Sequence, residues 1–217
     1  MGTNLQTQNL SPDDFGGEHL NGCNEILVVS RPAAVEKVHA DFLAAGCDVI
    51  ETDTFGGTPV VLAEYGLGER AYELNRQAAA IARSVATDYS ANGRPRFVAG
   101  SMGPTTKLPS LGHMAFREME RGFYIQAQGL ADGGADLLVI ETCQDPLQIK
   151  AAMQACRKAM KIVGREIPIQ VQVTMETTGR MLVGTEIGAA LKAGTNCGSC
   201  IPEITKLLAL EKLSPVA

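Results

Sequence analysis

The sequence predicts an α/β fold that forms part of a TIM (β/α)8 barrel, with parallel strands and alternating helices. Short apolar runs alternate with amphipathic helical stretches, one βα unit recurs within the chain, and each apolar run is followed by small, polar or acidic residues. Four such runs supply half the strands of a barrel, and about 250 residues are typical of a complete one. We therefore expect the 217 residues to form an incomplete barrel.

Four apolar runs have the length and composition of buried strands in a parallel sheet. They are DVIET at 48–52, RFVAGS at 96–101, DLLVIET at 136–142 and IPIQVQVTM at 167–175. Successive βα units of one sheet are joined by right-handed crossovers. We therefore expect these strands to be neighbours in chain order, with the loops that follow them on one rim.

The stretches before and between these runs have apolar residues at every third or fourth position, which is typical of amphipathic helices. They cover residues 33–46, 68–93, 119–134 and 145–164. Each stretch closes at or near a glycine, the residue that most readily adopts the left-handed conformation at a helix C-terminus. The predicted caps are Gly46, Gly93, Gly134 and Gly164.

Two segments share the order helix, glycine, aspartate, apolar strand, Glu-Thr. They are LAAGCDVIETDTFGG and LADGGADLLVIETCQD, and they place Glu51 and Glu141 at equivalent strand ends. Functional groups of parallel barrels gather at the C-terminal ends of the strands. Each glutamate is therefore a candidate to hold an amino group, or alternatively to bond neighbouring backbone.

Composition excludes several classes of function. The net charge is -5 and the chain has no basic run, which argues against a nucleic-acid partner. No apolar stretch approaches the roughly 18 residues of a membrane span, and the N-terminal residues lack the pattern of a signal peptide, so we expect a cytoplasmic protein. In a reducing compartment the six cysteines are expected to be buried, catalytic or metal-bound. The three histidines are isolated from one another, and we expect surface or loop roles for them.

Long motifs resemble the homocysteine S-methyltransferase family, in the form of the homocysteine-binding domain of cobalamin-dependent methionine synthases. They include GCNEILVVSRP, GCDVIETDTFGGTPVVLAEYGLGERAYELNR, VAGSMGPTTKLPSLGH, ADLLVIETCQDPLQIKAA and VQVTMETTGRMLVGTEI, within residues 1 to about 190. The resemblance implies a TIM barrel, methyl transfer to the homocysteine thiolate, and a zinc ion held by three cysteines. It also implies that cobalamin and folate bind to other domains, among them a cobalamin-binding partner domain.

Several residues at the ends of the predicted strands are candidates for substrate binding. The resemblance implies that Glu141 contacts the amino-acid part of the substrate. Phe55, Gly56 and Gly57 form either a loop that passes close to a ligand or an ordinary tight turn, since glycine permits close backbone approach. The other candidates at the same mouth are Asp53, Thr54, Ser101, Gly103, Thr105, Thr174 and Glu176.

The sequence departs from the family pattern in its first strand and its zinc ligands. The family's first strand, with its terminal aspartate, has no counterpart here. GTNC at 194–197 mimics the first family cysteine motif out of register, and the family's Gly-Gly-Cys-Cys motif is absent. We therefore expect this chain to be a fragment without a complete zinc site, and to be inactive by itself.

The last residues carry a C-x-x-C pair, Cys197 and Cys200. Residues 190–208 resemble the end of the bacterioferritin-associated-ferredoxin-like [2Fe-2S] domain, where two cysteine pairs hold the cluster. We therefore divide the chain into a partial homocysteine-binding barrel at 1–188 and a short helical tail at 189–217. The alternative function is a non-catalytic remnant, or an iron–sulfur homodimer that pairs two tails. Open sheet edges also favour self-association.

Overall fold

Four strands form one parallel sheet in which each strand neighbours the next along the chain. This computed structural model describes residues 1–91 and 93–191. The strands are β1 (Val49–Glu51), β2 (Phe97–Met102), β3 (Leu137–Cys143) and β4 (Ile169–Val173), in the order β1-β2-β3-β4. All three pairings are parallel, which confirms the predicted strand order and places the C-terminal strand ends on one rim.

Long helices connect the strands, as predicted. α4 precedes β1, α6 connects β1 to β2, α7 connects β2 to β3, and α8 connects β3 to β4. The helices of the described residues are α1 (Gly2–Gln6), α2 (Pro12–Phe15), α3 (Leu27–Ser30), α4 (Pro32–Ala44), α5 (Pro59–Leu62), α6 (Ala71–Ser90), α7 (Phe116–Asp132), α8 (Pro146–Val163) and α9 (Ile187–Leu191). Within this part of the chain, no helix is both long and apolar enough to cross a membrane.

The ends of α8 show how local sequence fixes these helices. The side chain of Asp145 accepts a hydrogen bond from the Leu147 N–H, and Pro146 occupies the first helical turn. Gly164 ends the helix in the left-handed conformation, with φ of 71°. The other glycines predicted at helix ends also have positive φ: Gly46, Gly93 and Gly134.

The main core lies between the sheet and its crossover helices. Gly100 of β2 faces α7, and a Cβ at this glycine would lie 3.1 Å from the Leu130 Cδ1 atom, so the absence of a side chain permits close packing. Val49 and Phe97 lie side by side on the other face of the sheet and are 46% and 43% exposed. An exposed apolar inner face is what an incomplete barrel predicts.

A second core packs the segment before β1 against α4 and α6. It includes Leu5, Leu27, Val35 and Leu74, all at most 1% exposed. This packing fixes the turn at Asn24–Ile26 beside the rim of the sheet. The proposed domain boundary at residue 188 falls within α9, and the tail from 192 onward lies outside the described residues.

The expectation of a surface or loop position is wrong for His39. This residue lies in α4 and is 1% exposed, and its Nε2 atom has no hydrogen-bond partner. Burial lowers the pKa of His39 to about 4, since the charged imidazolium is poorly solvated there. His39 is therefore a neutral core residue at physiological pH.

We expect His39 to make the fold acid-sensitive. Its unfolded-state pKa is about 6.5. Between that value and about 4, the unfolded chain binds a proton that the folded chain does not, so the free energy of unfolding falls as the pH falls. The contribution is up to ~1.4 kcal/mol per pH unit. Urea denaturation across this window should show a shallower pH dependence for His39→Leu, and identical slopes would contradict the assignment.

Candidate functional site

A cavity of about 400 Å³ opens at the C-terminal ends of β1, β2 and β3. Strand ends, the DTFGG loop and the segment before β1 all contribute to its wall. The described residues that line it are Met1, Gly2, Gly22, Asn24, Glu25, Glu51, Thr52, Asp53, Phe55, Gly56, Val61, Tyr65, Ser101 and Glu141. We call it the rim cavity.

Glu141 is fixed at the rim by a neighbouring strand. The Ser101 hydroxyl donates a hydrogen bond of 2.6 Å to Oε1 of Glu141, and both residues line the rim cavity. The register between β3 and β4 shifts between Ile140 and Cys143. Within this bulge Thr142 has a φ of 56°, which is rare for a β-branched residue. The backbone is therefore strained beside Glu141.

Thr142→Gly is expected to raise the free energy of unfolding by about 1 kcal/mol. A non-glycine residue in the left-handed region costs roughly 1–2 kcal/mol, and glycine avoids this cost. Part of the gain is offset because glycine has greater freedom in the unfolded chain. Thr142 is exposed, so little packing is lost. Thr87→Gly in α6 is a matched control, expected to lower stability because glycine disfavours a helix. Equal effects of the two substitutions in urea denaturation would contradict the strain.

A chain of buried hydrogen bonds ties the end of β1 to β2. The hydroxyls of Thr52 and Thr54 lie 2.6 Å apart, and the Thr54 hydroxyl donates to the Ser101 carbonyl oxygen at 2.7 Å. The Ser101 N–H in turn donates to the Thr52 hydroxyl oxygen at 3.0 Å. Thr54 is 1% exposed and lies beneath the cavity wall, where it holds the two strands in position.

The glycines of the DTFGG loop allow two close approaches. The Gly56 N–H donates to Oε1 of Glu25 at 2.6 Å. A Cβ at Gly57 would lie 2.5 Å from Oδ1 of Asn75, whose amide nitrogen donates to the Gly57 carbonyl oxygen at 2.7 Å. Gln126 of α7 donates to the Thr54 carbonyl oxygen at 2.8 Å. Polar side chains of two helices therefore hold this loop against the sheet.

The rim cavity is acidic. Its wall contains four carboxyl side chains and, among the described residues, no lysine, arginine or histidine, so that the α-amino group of Met1 is its one positive group. Burial, reinforced by the charge of Glu141, raises the pKa of Glu51. Burial also raises the pKa of Asp53 well above its usual value, with a further contribution from Glu25. Such a wall favours a positively charged group on a ligand.

Comparison with known proteins places this chain in a family. The family model for homocysteine S-methyltransferase matches residues 1–212. The chain belongs to the homocysteine S-methyltransferase family. The match includes the C-x-x-C pair at 197–200 and most of the tail.

Two curated methionine synthases are similar to this chain. Those of Mycobacterium tuberculosis (strain ATCC 25618 / H37Rv) and Mycobacterium leprae (strain TN) are 46% and 45% identical to it over 217 residues. Each alignment covers 96% of this chain and 18% of the relative. The chain therefore spans less than a fifth of the length of these relatives.

Solved structures of the homocysteine methyltransferase MmuM from Escherichia coli share the fold. The metallated form has a TM-score of 0.70 at 22% identity, over 90% of this chain and 68% of that one. The apo form has a TM-score of 0.65 at 21% identity, over 90% of this chain and 65% of that one. At this identity the likeness concerns the fold alone, and it confirms the predicted partial barrel.

The structure brings some of the predicted site residues together and separates others. Glu141, Ser101, Phe55 and Gly56 line the rim cavity, whereas Thr54 and Gly57 are buried behind it. Two further candidates lie outside its lining. The Thr174 N–H donates to the Cys143 carbonyl oxygen, and the exposed Glu176 bonds through its N–H to the Arg180 carbonyl oxygen in a turn.

The residues that the segment before β1 contributes are not among the predicted site residues. Glu25, Asn24 and Gly22 line the rim cavity, and Tyr65 reaches it from the chain after β1. The signal was present in GCNEILVVSRP, a motif that carries the family resemblance. Its acidic residue, Glu25, lies in a turn and not at the C-terminal end of a strand, where functional groups of parallel barrels are expected.

The cysteines of the described residues do not fit the family's zinc site. Burial raises the pKa of Cys23, Cys143 and Cys156 to about 12, so these thiols are protonated at neutral pH and are poor metal ligands. In this part of the chain, no group of three or more His, Cys, Asp or Glu side chains is arranged to hold a metal ion. The predicted metal ligands Cys197 and Cys200 lie outside the described residues.

Proposed function

We propose that this chain is the homocysteine-binding part of a longer methyltransferase, whose reaction transfers a methyl group to the sulfur of homocysteine. The observation that carries the proposal is an acidic cavity at the C-terminal strand ends, in a chain of the homocysteine S-methyltransferase family. Active sites of barrel enzymes lie at this face. The amino-acid end of homocysteine carries the ammonium group that such a wall favours.

Glu141 is the residue that binds the substrate ammonium group in this proposal. Its Oε1 atom already accepts a hydrogen bond from Ser101, which orients the carboxylate before the ligand arrives. Oε2 remains to accept a charge-assisted hydrogen bond from the ligand. Phe55 and Gly56 form the adjacent wall, and Thr54 and Gly57 support that wall from below. Thr174 and Glu176 are more distant candidates, after β4.

The methyl-transfer step needs the homocysteine sulfur as a thiolate. A thiol with a pKa of about 8.5 is only a few per cent ionised at neutral pH. In this family, zinc would supply the deprotonation by coordinating the sulfur. The described cysteines do not offer that site, and Cys197 with Cys200 would contribute two of the three ligands. We therefore propose that the chain binds homocysteine but does not methylate it alone, and that cobalamin and folate belong to partner domains.

The test combines three measurements on the purified chain. Calorimetry with L-homocysteine should show binding, elemental analysis should show less than one zinc per chain, and methionine should not form when methylcobalamin is supplied. Absence of homocysteine binding would refute the proposed function. One tightly bound zinc per chain together with turnover above the uncatalysed background would show that the tail cysteines complete the metal site.

The C-x-x-C spacing of Cys197 and Cys200 supports a second candidate, an iron–sulfur homodimer. Two tails would supply the four thiolates that a [2Fe-2S] cluster requires. The exposed pair Val49 and Phe97 would also favour self-association. Visible absorption together with a dimer in sedimentation would support this candidate, whereas a colourless monomer would exclude it.

A further inference from the structure

The rim cavity contains a second carboxyl pair, Glu25 and Asp53, to which the proposed binding mode assigns no role. Asp53 follows β1, lines the cavity and is 5% exposed. Its Oδ2 atom is fully buried and has no hydrogen-bond partner. Glu25 reaches the same wall from the turn at Asn24–Ile26, and its Oε1 atom accepts the Gly56 N–H. A buried polar atom without a partner is rare in a folded protein, so it points to a ligand or a proton.

No cationic side chain of the described residues is among the groups that shift the pKa of Asp53, but the α-amino group of Met1 lowers it. Asp53 interacts electrostatically with the Glu25 carboxyl, the Cys23 thiol and the α-amino group of Met1. The Cys23 thiol is itself 3.8 Å from Oε2 of Glu25, and its raised pKa keeps it neutral. Burial and the adjacent Glu25 both disfavour a charged Asp53. Their combined effect outweighs that of the Met1 α-amino group, so the pKa of Asp53 lies well above its usual value and the protonated form is favoured.

We propose that Asp53 is protonated in the free chain and releases its proton to receive a primary ammonium group, acting with Glu25 in the wall of the rim cavity. The incoming ammonium forms an N–H···O hydrogen bond to the Asp53 carboxylate, and the Asp53 proton leaves to solvent. One cation enters and one proton departs, so charge balances and no electron is transferred. Among residues 1–91 and 93–191, no group of three or more His, Cys, Asp or Glu side chains is arranged to hold a metal ion, which favours an organic cation.

This inference deepens the proposed function and rests on it only for the identity of the ligand. A primary ammonium has three N–H donors, so one hydrogen bond to Glu141 leaves two for the Asp53 side of the cavity. Proton release also makes binding pH-dependent. While Asp53 is protonated in the free chain, the association constant of an ammonium ligand rises about tenfold per pH unit.

The direct test follows the Asp53 carboxyl carbon by NMR in the whole chain, with the resonance assigned through bonds from the backbone amide. At neutral pH it should lie at the position of a neutral acid. Titration with methylammonium should move it to the ionised position, and acetamide, a neutral probe of similar size, should leave it unchanged. An ionised Asp53 in the free chain, or a neutral one at saturating methylammonium, would overturn the proposal.

Calorimetry in two buffers with different ionisation enthalpies counts the protons. Methylammonium should release about one proton per ligand from the unsubstituted chain and from Glu166→Gln, which lies at an exposed position outside the rim cavity, but none from Asp53→Asn. Unchanged proton release in a folded Asp53→Asn would also contradict the proposal. If methylammonium ionises Asp53 and homocysteine does not bind, the proposed function fails and this inference stands.

Discussion

Glu141→Gln is expected to weaken homocysteine binding by roughly 10-fold to 100-fold, since a hydrogen bond to a charged group contributes about 1.5–3 kcal/mol. The neutral amide keeps the shape of the side chain, and its oxygen still accepts the Ser101 hydroxyl that now bonds to Oε1. The loss therefore falls on the ligand's ammonium group. The dissociation constant can be measured by calorimetry at neutral pH.

Two controls separate this loss from damage to the fold. Glu166→Gln removes one negative charge at an exposed position away from the rim cavity, and it should leave the dissociation constant unchanged. The second control is 4-mercaptobutyrate, which lacks the amino group and should bind the unsubstituted chain and Glu141→Gln equally. If Glu141→Gln binds homocysteine as tightly as the unsubstituted chain, Glu141 does not recognise the ammonium group.

Gly103→Ala is expected to lower the free energy of unfolding by about 1–3 kcal/mol, the usual cost of overpacking. The added Cβ would lie 2.6 Å from the Phe55 carbonyl oxygen and 2.7 Å from its ring carbon Cδ2. The first of these atoms belongs to the backbone and cannot rotate away. The Gly103 N–H also donates to that oxygen, so the substitution pushes apart two segments that now bond each other.

Gly122→Ala provides the matched control for this substitution. Gly122 lies inside α7, where the heavy atom nearest to an added Cβ would be 3.7 Å away, an ordinary contact. Alanine should stabilise this helix by about 0.5–1 kcal/mol. Urea denaturation of both variants should therefore give opposite signs. A stable Gly103→Ala that still binds homocysteine would show that the Phe55 loop moves freely.

The sheet and part of the site followed from local sequence patterns. Strand runs and helical periodicity are short-range signals. The rule that functional groups gather at the C-terminal ends of parallel strands located Glu141 and Ser101 without knowledge of packing. The same rule located Glu51 and Asp53 but could not show which carboxyl is buried without a partner. Glu25 lies far from them in sequence, and only tertiary folding brings its turn to the rim.

The two Glu-Thr motifs show where local reasoning stops. Thr52 and Thr142 follow equivalent glutamates, yet Thr52 is buried and accepts the Ser101 N–H, whereas Thr142 is exposed and has positive φ. The difference arises from the register shift between β3 and β4, and no pattern of residues in the sequence predicts that shift. Burial of His39, by contrast, has a local signal, since it lies four residues from Val35 and from Leu43 and therefore on the same buried face of α4.

A crystal structure of the chain with L-homocysteine tests the central claim most directly, because it shows where the amino-acid end binds. We expect the ligand in the rim cavity, with its ammonium nitrogen about 2.7–3.2 Å from Oε2 of Glu141. The Ser101 hydrogen bond to Oε1 should be retained. Homocysteine bound elsewhere, or bound in the cavity with its ammonium group away from Glu141, Glu25 and Asp53, would contradict the account.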